Sequence, residues 1–328
     1  MPDLVRFGGN LAKSRALPAA AAFALTLGFV LPGINSVPQH GDEGHYAITG
    51  AYYGGKVARL DFSPVFRGTY DPGWNPQSDW ATTQAEGTRF LYALVLWATG
   101  DSPPQAFFDF STPVQPKNTL VAPGALFALR LTAILCACLG FALMALRLGW
   151  KSFVATGLVL LIPHVPPDLT RAWAEGPLIL GAGLCVLTFG TRWFGAACGL
   201  AATVKLTALG LWPLLLLRRA NGGGRWARTL GVGSAALTWT LLTPQSWFEG
   251  GPLYILIMLT VRKGYYQLQT QLVGRPGFEG VAGIFLPTRY LIPFELMAAY
   301  GLGCGAPWLA RRLGQSRRLR QTLPVTPQ

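Results

Sequence analysis

The chain has 328 residues, of which 51% are hydrophobic and only 12% are charged. Soluble domains carry about twice that charged fraction, so the composition argues against a soluble enzyme. The net charge of +13 does not indicate a nucleic-acid partner, because the basic residues lie in short clusters between apolar runs rather than on a polar fold. These clusters contain a single acid, Asp3, which is typical of cytoplasmic loops in membrane proteins. The basic clusters consist of Arg6, Lys13 and Arg15; Arg147 and Lys151; Arg192; Arg218, Arg219, Arg225 and Arg228; and Arg311, Arg312, Arg317, Arg318 and Arg320.

The first apolar run, residues 16–32, follows a basic head and predicts a membrane anchor whose N-terminus faces the cytoplasm. A cleaved signal peptide is the alternative, but no small-x-small cleavage site follows the run. Residues 33–121 hold eight of the fourteen acids and many aromatic residues, and we predict that they form the first extracytoplasmic loop. Within this loop, residues 88–100 are apolar but too short to cross the bilayer, which predicts a helix lying in the interface.

The remaining apolar runs predict further membrane-spanning helices, for about eight in total. One of these runs contains Lys205 near its middle, so we expect two short helices that meet where the lysine reaches an aqueous site. The chain is therefore predicted to form one all-α, polytopic transmembrane domain over residues 1–328, with both termini cytoplasmic, in a cytoplasmic membrane of bacterial type. The predicted segments after the first loop are spans at 122–146, 152–164, 175–190, 194–217, 229–243 and about 282–309, a second extracytoplasmic segment at 244–280, and a basic cytoplasmic tail at 310–328.

Two adjacent acids, Asp42 and Glu43, follow the first helix in the stretch GDEGHY. Neighbouring carboxylates point in different directions, so one can accept a proton from a hydroxyl while the other holds a metal ion, an amide or a sugar. The structural alternative is a pair of capping acids in a solvated loop. His40 and His45 flank the pair and suggest metal binding by Glu43 and His45, although one local cluster without distant ligands is weak evidence for zinc.

Four cations lie inside or beside apolar runs: Arg130, Arg171, Lys205 and Arg289. A charge in a membrane segment is costly, and it usually faces a cavity or a partner. On the predicted topology all four lie toward the outer half, on the side of the acidic pair, which favours a phosphate-bearing ligand. The alternatives are an ion pair between Arg171 and Glu175, four residues along one helix, and snorkelling of Arg130 and Arg289 to the lipid headgroups.

Several stretches in chain order over residues 15–305 resemble the motifs of one family. The acidic pair follows the first helix, an arginine opens ALRLTAILCACLGFALMALRLGW, and RAWAEGPLILGAGL has the pattern R-x-x-x-E. The stretches FGAACGLAATVKLTALGLWPLLLLRR, LLTPQSWF and PTRYLIPFELMAAYG follow. This order resembles the GT-C fold glycosyltransferases, the superfamily of protein O-mannosyltransferases, aminoarabinose transferases and oligosaccharyltransferases. The chain departs from that family in its shorter length and in reading EGTRFLYALVL where members have H-P-P-L before the interfacial helix.

The resemblance implies transfer of a sugar from a polyprenyl-phosphate donor in the bilayer to a glycan, lipid or protein acceptor at the extracytoplasmic face. Asp42 would act as the base of an inverting displacement, and Glu43 would orient the acceptor or a metal ion. The leaving lipid phosphate is already a stable anion, so no general acid is needed to protonate it. The resemblance implies no certain cofactor, and a divalent metal ion is the one cofactor considered. The residues predicted to bind substrate are Arg130, Arg171, Lys205, Arg289, Tyr290, His45 and Tyr46.

Two other classes of protein remain alternatives at this point. A secondary transporter or flippase for an anionic substrate would also explain intramembrane cations, but it predicts paired repeats with broken helices, which we do not find in the sequence. A non-catalytic subunit that binds lipid-linked sugar within a larger membrane assembly would fit the short chain.

Overall fold

The structure, a computed structural model, describes residues 2–40, 43–44, 46–47, 49–50, 59, 87–100 and 121–243. Regular structure within these ranges is helical and includes no strand, which confirms the predicted helical class for this part of the chain. The predicted segment at 244–280, the last span, the basic tail and most of the first loop lie outside the described residues.

Eight α-helices and three 3-10 segments are described, and we number the α-helices in chain order. They are α1 (Pro2–Val30), α2 (Gly87–Thr99), α3 (Pro123–Leu148), α4 (Trp150–Leu160), α5 (Val165–Thr170), α6 (Glu175–Thr188), α7 (Phe194–Val204) and α8 (Ala227–Leu241). The 3-10 segments are Leu31–Gly33, Leu206–Leu216 and Arg218–Asn221.

Helix boundaries follow local chemistry in several places. Pro123 stands in the first turn of α3, where a missing N–H costs nothing. Gly149 separates α3 from α4 with a φ of 71°, a conformation that favours glycine. The break predicted near Lys205 is confirmed: α7 ends there because Lys205 is extended, and a 3-10 helix follows.

Two of the described helical segments are long and apolar enough to cross a membrane, judged by length and composition alone. These are Arg15–Gly33, of 19 residues, and Pro123–Leu148, of 26 residues. At 1.5 Å per residue, α3 extends over about 39 Å, against a hydrocarbon core of about 30 Å. Shorter apolar helices accompany them, and α4 with its 11 residues covers only about half of that thickness.

Helix α3 is the central element of the bundle. It packs most extensively against α6, then against α1, while α7 joins α6 to α8 on the far side. Glycines allow these close crossings: a Cβ at Gly176 would overlap the Ala133 carbonyl, and a Cβ at Gly140 would overlap the Ile179 carbonyl. Close packing through small residues is characteristic of helices in membranes.

The hydrogen bonds between helix ends define two ends of the bundle. At one end, the Arg15 guanidinium donates to the Arg147 carbonyl, and Arg147 Nη2 donates to the Phe189 carbonyl over 3.2 Å. We call this the basic end, since it gathers residues 15, 147–151, 189–193 and 217–228. The opposite end holds the residues after α1, the first turns of α2, α3 and α6, and the last turn of α7. We call it the paired end.

Candidate functional site

The paired end is built around a buried ion pair between Glu43 and Arg130. The two side chains are 0% and 2% exposed, and two parallel hydrogen bonds join them. Arg130 Nε donates to Glu43 Oε1 over 2.8 Å, and Arg130 Nη2 donates to Glu43 Oε2 over 2.9 Å. A bidentate contact of this kind is among the stronger hydrogen-bonded geometries available to arginine. It ties the segment after α1 to the core of the bundle.

Glu43 has no oxygen lone pair to spare in this arrangement. Its Oε1 also accepts the Ala172 N–H over 2.8 Å, and its Oε2 accepts the His40 N–H over 2.9 Å. A carboxylate offers about four acceptor positions, so all are occupied. Direct metal binding by Glu43 would require one of these bonds to break. Among the described residues, no group of three or more His, Cys, Asp and Glu side chains could hold a metal ion.

Arg130 is similarly occupied within the protein. Its Nη1 donates to the carbonyl oxygens of Ile34 and Val37, each over 2.8 Å. Four of the five N–H donors of a guanidinium are therefore used. The alternative in which Arg130 snorkels to the headgroups is wrong, because the side chain is buried where α3 meets the residues after α1.

A short stretch from the end of α5 to the first residue of α6, residues 171–175, connects the Glu43–Arg130 pair to the rest of the paired end. We call this stretch the hub. Ala172 donates its N–H to Glu43, and the Trp173 carbonyl accepts the Tyr92 hydroxyl over 2.6 Å. Arg171 has extended backbone angles, which end α5 and leave the Ala172 N–H and the Trp173 carbonyl available to side chains.

Glu175 and Lys205 form a second ion pair, at the last residue of the hub. Lys205 Nζ donates to Glu175 Oε1 over 2.5 Å. Glu175 opens α6 and Lys205 follows the last residue of α7, so each charge lies at the helix end whose dipole stabilises it. The helix break at Lys205 therefore delivers the ammonium group to a carboxylate.

Arg171 is the most exposed of the three described site cations, with 23% of its side chain accessible against 11% for Lys205. Its Nη1 donates to Asp168 Oδ1 over 3.2 Å, and its guanidinium lies 4.8 Å from the centroid of the Trp173 ring. Its Nε has no hydrogen-bond partner among the described residues. The ion pair considered between Arg171 and Glu175 is wrong, because the hub is not a continuous helix and Glu175 bonds Lys205 instead.

Helix α2, which belongs to the predicted first loop, packs on the paired end. Thr88 Oγ1 donates to the Val204 carbonyl over 3.1 Å, and Tyr92 reaches the hub. Burial raises the pKa of the Tyr92 hydroxyl well above its ordinary value, so the phenol stays protonated and able to donate. The Tyr46 ring meets Tyr92 edge to face, with the centroids 6.1 Å apart.

The structure brings three of the predicted phosphate-binding cations, Arg130, Arg171 and Lys205, to the paired end. Each has a carboxylate partner, so these three pairs are formally neutral where a cationic cluster was expected. Tyr46 lies at the same end through its contact with Tyr92. The predicted site residues outside the described part of the chain are Asp42, His45, Arg289 and Tyr290.

Three residues of the paired end were missed by sequence reasoning: Asp168, Arg89 and Tyr92. Arg89 is fully buried near the start of α2, and the signal that selected Arg130, a charge in an apolar run, applies to it equally. Asp168 was detectable as an acid three residues before Arg171. The bond of Tyr92 to the hub joins residues 81 positions apart, so no local sequence signal marks it.

The fold and the site define a helical bundle with buried ion pairs at one end and exposed cations at the other. Comparison with known proteins gives no further assignment, since no family model, curated protein or solved structure matches the chain. Function is therefore inferred from this arrangement together with the sequence motifs.

Proposed function

We propose that the chain is an integral membrane glycosyltransferase that moves a sugar from a polyprenyl-phosphate donor to a glycan, lipid or protein acceptor. The reaction centre lies at the paired end, which faces the extracytoplasmic side, and α1 and α3 are two of about eight membrane-crossing segments. The observation that carries the proposal is the Glu43–Arg130 pair. It fixes the residue next to Asp42 where the end of α1, the start of α3 and the hub meet.

The distribution of charge supports this orientation. Of the four acids among the described residues, three lie at the paired end, where Glu43, Asp168 and Glu175 each bond a cation, and the fourth, Asp3, lies near the start of α1. The turns of the basic end, 147–151, 189–193 and 217–228, contain no acid. An excess of Lys and Arg in short loops is the signature of the cytoplasmic side.

The outer surface of the bundle supports placement in a bilayer. Large apolar side chains point outward along several helices, among them Leu139 on α3, Leu158 on α4 and Leu237 on α8. Apolar surface of this extent is rare on soluble monomers, whereas contact of apolar side chains with lipid hydrocarbon carries no free-energy penalty.

In the proposed reaction, the acceptor hydroxyl oxygen bonds the anomeric carbon of the donor sugar as the bond from that carbon to the donor phosphate breaks. Asp42 takes the hydroxyl proton, and the electron pair of the broken bond leaves with the polyprenyl phosphate. Attack from the face opposite the phosphate inverts the anomeric configuration. Glu43 is a positioning residue, because its oxygens are all used to hold the segment that carries Asp42.

The cations take different parts in this proposal. Arg130 and Lys205 are positioning residues, since each is buried against a carboxylate. Among Arg130, Arg171 and Lys205, Arg171 is the cation best placed to contact the leaving phosphate, because its side chain is the most exposed of the three. Arg289 is the second candidate, on its sequence motif alone. Cations aimed at the developing charge are the main electrostatic requirement of this step.

The test is a sugar-transfer assay on membranes that contain the full chain, with a panel of labelled polyprenyl-phosphate hexoses and pentoses. Asp42→Asn keeps the size of the side chain but removes the base, so turnover should fall by about 10²–10⁴-fold. Asp109→Asn, an acid of the same predicted loop, is the matched control and should retain turnover. Wild-type turnover in Asp42→Asn would show that another group is the base.

A non-catalytic subunit that binds lipid-linked sugar is the second candidate. The observation that favours it is the neutralisation of Arg130, Arg171 and Lys205, each by a carboxylate, where free cations for a leaving phosphate were expected. This candidate predicts that the wild-type chain binds the donor without consuming it, and that Asp42→Asn binds equally well. Consumption of any donor in the panel by the wild type, but not by Asp42→Asn, would exclude the non-catalytic subunit.

A further inference from the structure

The basic end presents a set of exposed cations that sugar transfer does not use. Seven of them are exposed in three neighbouring turns: Arg147, Lys151, Arg192, Arg218, Arg219, Arg225 and Arg228. These turns contain no acid, so their charges are not neutralised locally. The paired end is the opposite case, because Arg130, Arg171 and Lys205 there each bond a carboxylate.

Each of the three turns also carries an exposed tryptophan beside a basic residue. Trp150, Trp193 and Trp226 are 52%, 60% and 64% exposed. The Arg192 guanidinium lies 5.2 Å from the Trp193 ring centroid, and the Arg225 guanidinium lies 5.6 Å from that of Trp226. Tryptophan is enriched where a membrane meets water, since its ring is apolar and its N–H is polar.

Hydrogen bonds hold the three turns together as one surface. Arg147 donates to the Phe189 carbonyl over 3.2 Å, and the Gly190 N–H donates to the Ala220 carbonyl over 2.8 Å. The buried Asn221 side chain donates to the carbonyls of Leu215 and Leu217, which fixes the third turn. The backbone positions that carry the cations and tryptophans are therefore held in place relative to one another.

We propose that the basic end binds the headgroups of anionic phospholipids in the adjoining leaflet. The phosphodiester is the group recognised, and Arg192, Arg225 and Arg228 supply the donors. A guanidinium already stacked on an indole keeps its outward N–H groups for phosphate oxygens, while the tryptophans sit at headgroup depth. This site is independent of sugar transfer, because it lies at the opposite end from Glu43.

The test uses the purified full chain in uncharged detergent micelles and two fluorescent short-chain lipids, a phosphatidylglycerol and a phosphatidylcholine. The wild type should bind the phosphatidylglycerol more tightly, and added salt should weaken that preference. Replacing Arg192, Arg225 and Arg228 together by Ala should weaken phosphatidylglycerol binding at least about fivefold, the effect of roughly one interfacial charge. Phosphatidylcholine binding should not change.

The matched control replaces the same three arginines by Lys, which keeps the charge and should retain most of the preference. Equal binding of the two lipids by the wild type, or full phosphatidylglycerol binding by the alanine variant, would overturn the proposal. Displacement of the lipid by inorganic phosphate in modest excess would also overturn it, in favour of a free-phosphate site. Tighter binding of a single-stranded RNA oligonucleotide than of the lipid would do so in favour of nucleic acid.

Discussion

The two ends of the bundle use the same residue types in opposite ways. At the paired end, Arg130 is buried and saturated by a carboxylate and by backbone carbonyls. At the basic end, Arg219 and its neighbours are exposed in turns that contain no acid. A buried arginine must have its charge matched by the protein, whereas an exposed one is matched by water or by a partner. The presence of partner acids, rather than the number of cations, therefore distinguishes cations that hold the fold together from cations that are exposed for binding.

The contrast between the two ends also indicates which part of the bundle is rigid. The hub bonds Glu43, Tyr92 and Lys205, so a change in any of these contacts is felt by the others. Such shared networks are strongly coupled. At the basic end, the exposed side chains can change with little consequence for the fold. The comparison predicts where mutations should unfold the protein and where they should alter only its interactions.

The largest effect expected is a difference in sidedness. Cysteines introduced by Asn35→Cys at the paired end and by Gly224→Cys at the basic end should react with a membrane-impermeant maleimide from opposite sides. Both positions are exposed, and a Cβ at Gly224 meets nothing within 4 Å. The measurement is labelling of right-side-out and inverted vesicles.

The background for this experiment replaces Cys304 by Ser, because the other four cysteines are buried in the bundle. The unsubstituted background should stay unlabelled in both kinds of vesicle. Labelling of both introduced cysteines from one side would show that the two ends do not face opposite compartments, and would remove the proposed orientation.

A large effect is also expected on stability when the Glu43–Arg130 pair is broken. Arg130→Met leaves the Glu43 carboxylate buried without its cation, and loss of one partner of a buried pair costs about 3–5 kcal/mol. Arg219→Met removes an exposed charge at the basic end and should stay within about 0.5 kcal/mol. Unfolding of the purified variants in micelles measures both.

The double variant Glu43→Gln with Arg130→Met sharpens the result. Since it removes both charges together, it should recover part of the loss, and a double-mutant cycle should give a coupling of about 0.5–3 kcal/mol. Equal effects of Arg130→Met and Arg219→Met would contradict the contrast between the ends.

Helix placement was largely predictable from the sequence because it depends on local patterns. Apolar runs gave α3, α6 and α8 to within a few residues, and a lysine in the middle of a run correctly indicated a break. The predicted span at 152–164 is shorter in the structure, where α4 ends at Leu160. The following turn and Pro163 stop the helix before it reaches a bilayer length.

Partner choice in the site was not predictable in this way. Arg130 bonds an acid 87 positions away, and Lys205 bonds one 30 positions away. The sequence placed Glu43 and these cations on the same side of the membrane, which is a weaker statement than direct contact. Oppositely charged residues four positions apart on a helix can form an ion pair, which led to the predicted pair of Arg171 and Glu175. That prediction failed because the chain between the two residues is not one continuous helix. Tertiary packing determines which charged residues bond each other, and a single sequence contains no local pattern that shows this packing.

The smallest effect expected comes from Tyr92, which links α2 to the hub. Tyr92→Phe removes one buried hydrogen bond to the Trp173 carbonyl and should cost about 1 kcal/mol near neutral pH. Thr99→Val on the same helix removes only a bond to the helix's own carbonyls near its exposed end, and should cost less. Because burial raises the pKa of Tyr92 in the folded state, its stabilising contribution is complete below about pH 10 and declines as the pH rises further. The difference in unfolding free energy between wild type and Tyr92→Phe should therefore stay constant below about pH 10 and narrow between about pH 10 and pH 12. A difference in unfolding free energy that stays constant over the whole range would show that the Tyr92 hydroxyl is not buried against the hub. The paired end would then be more accessible to water than its contrast with the basic end requires.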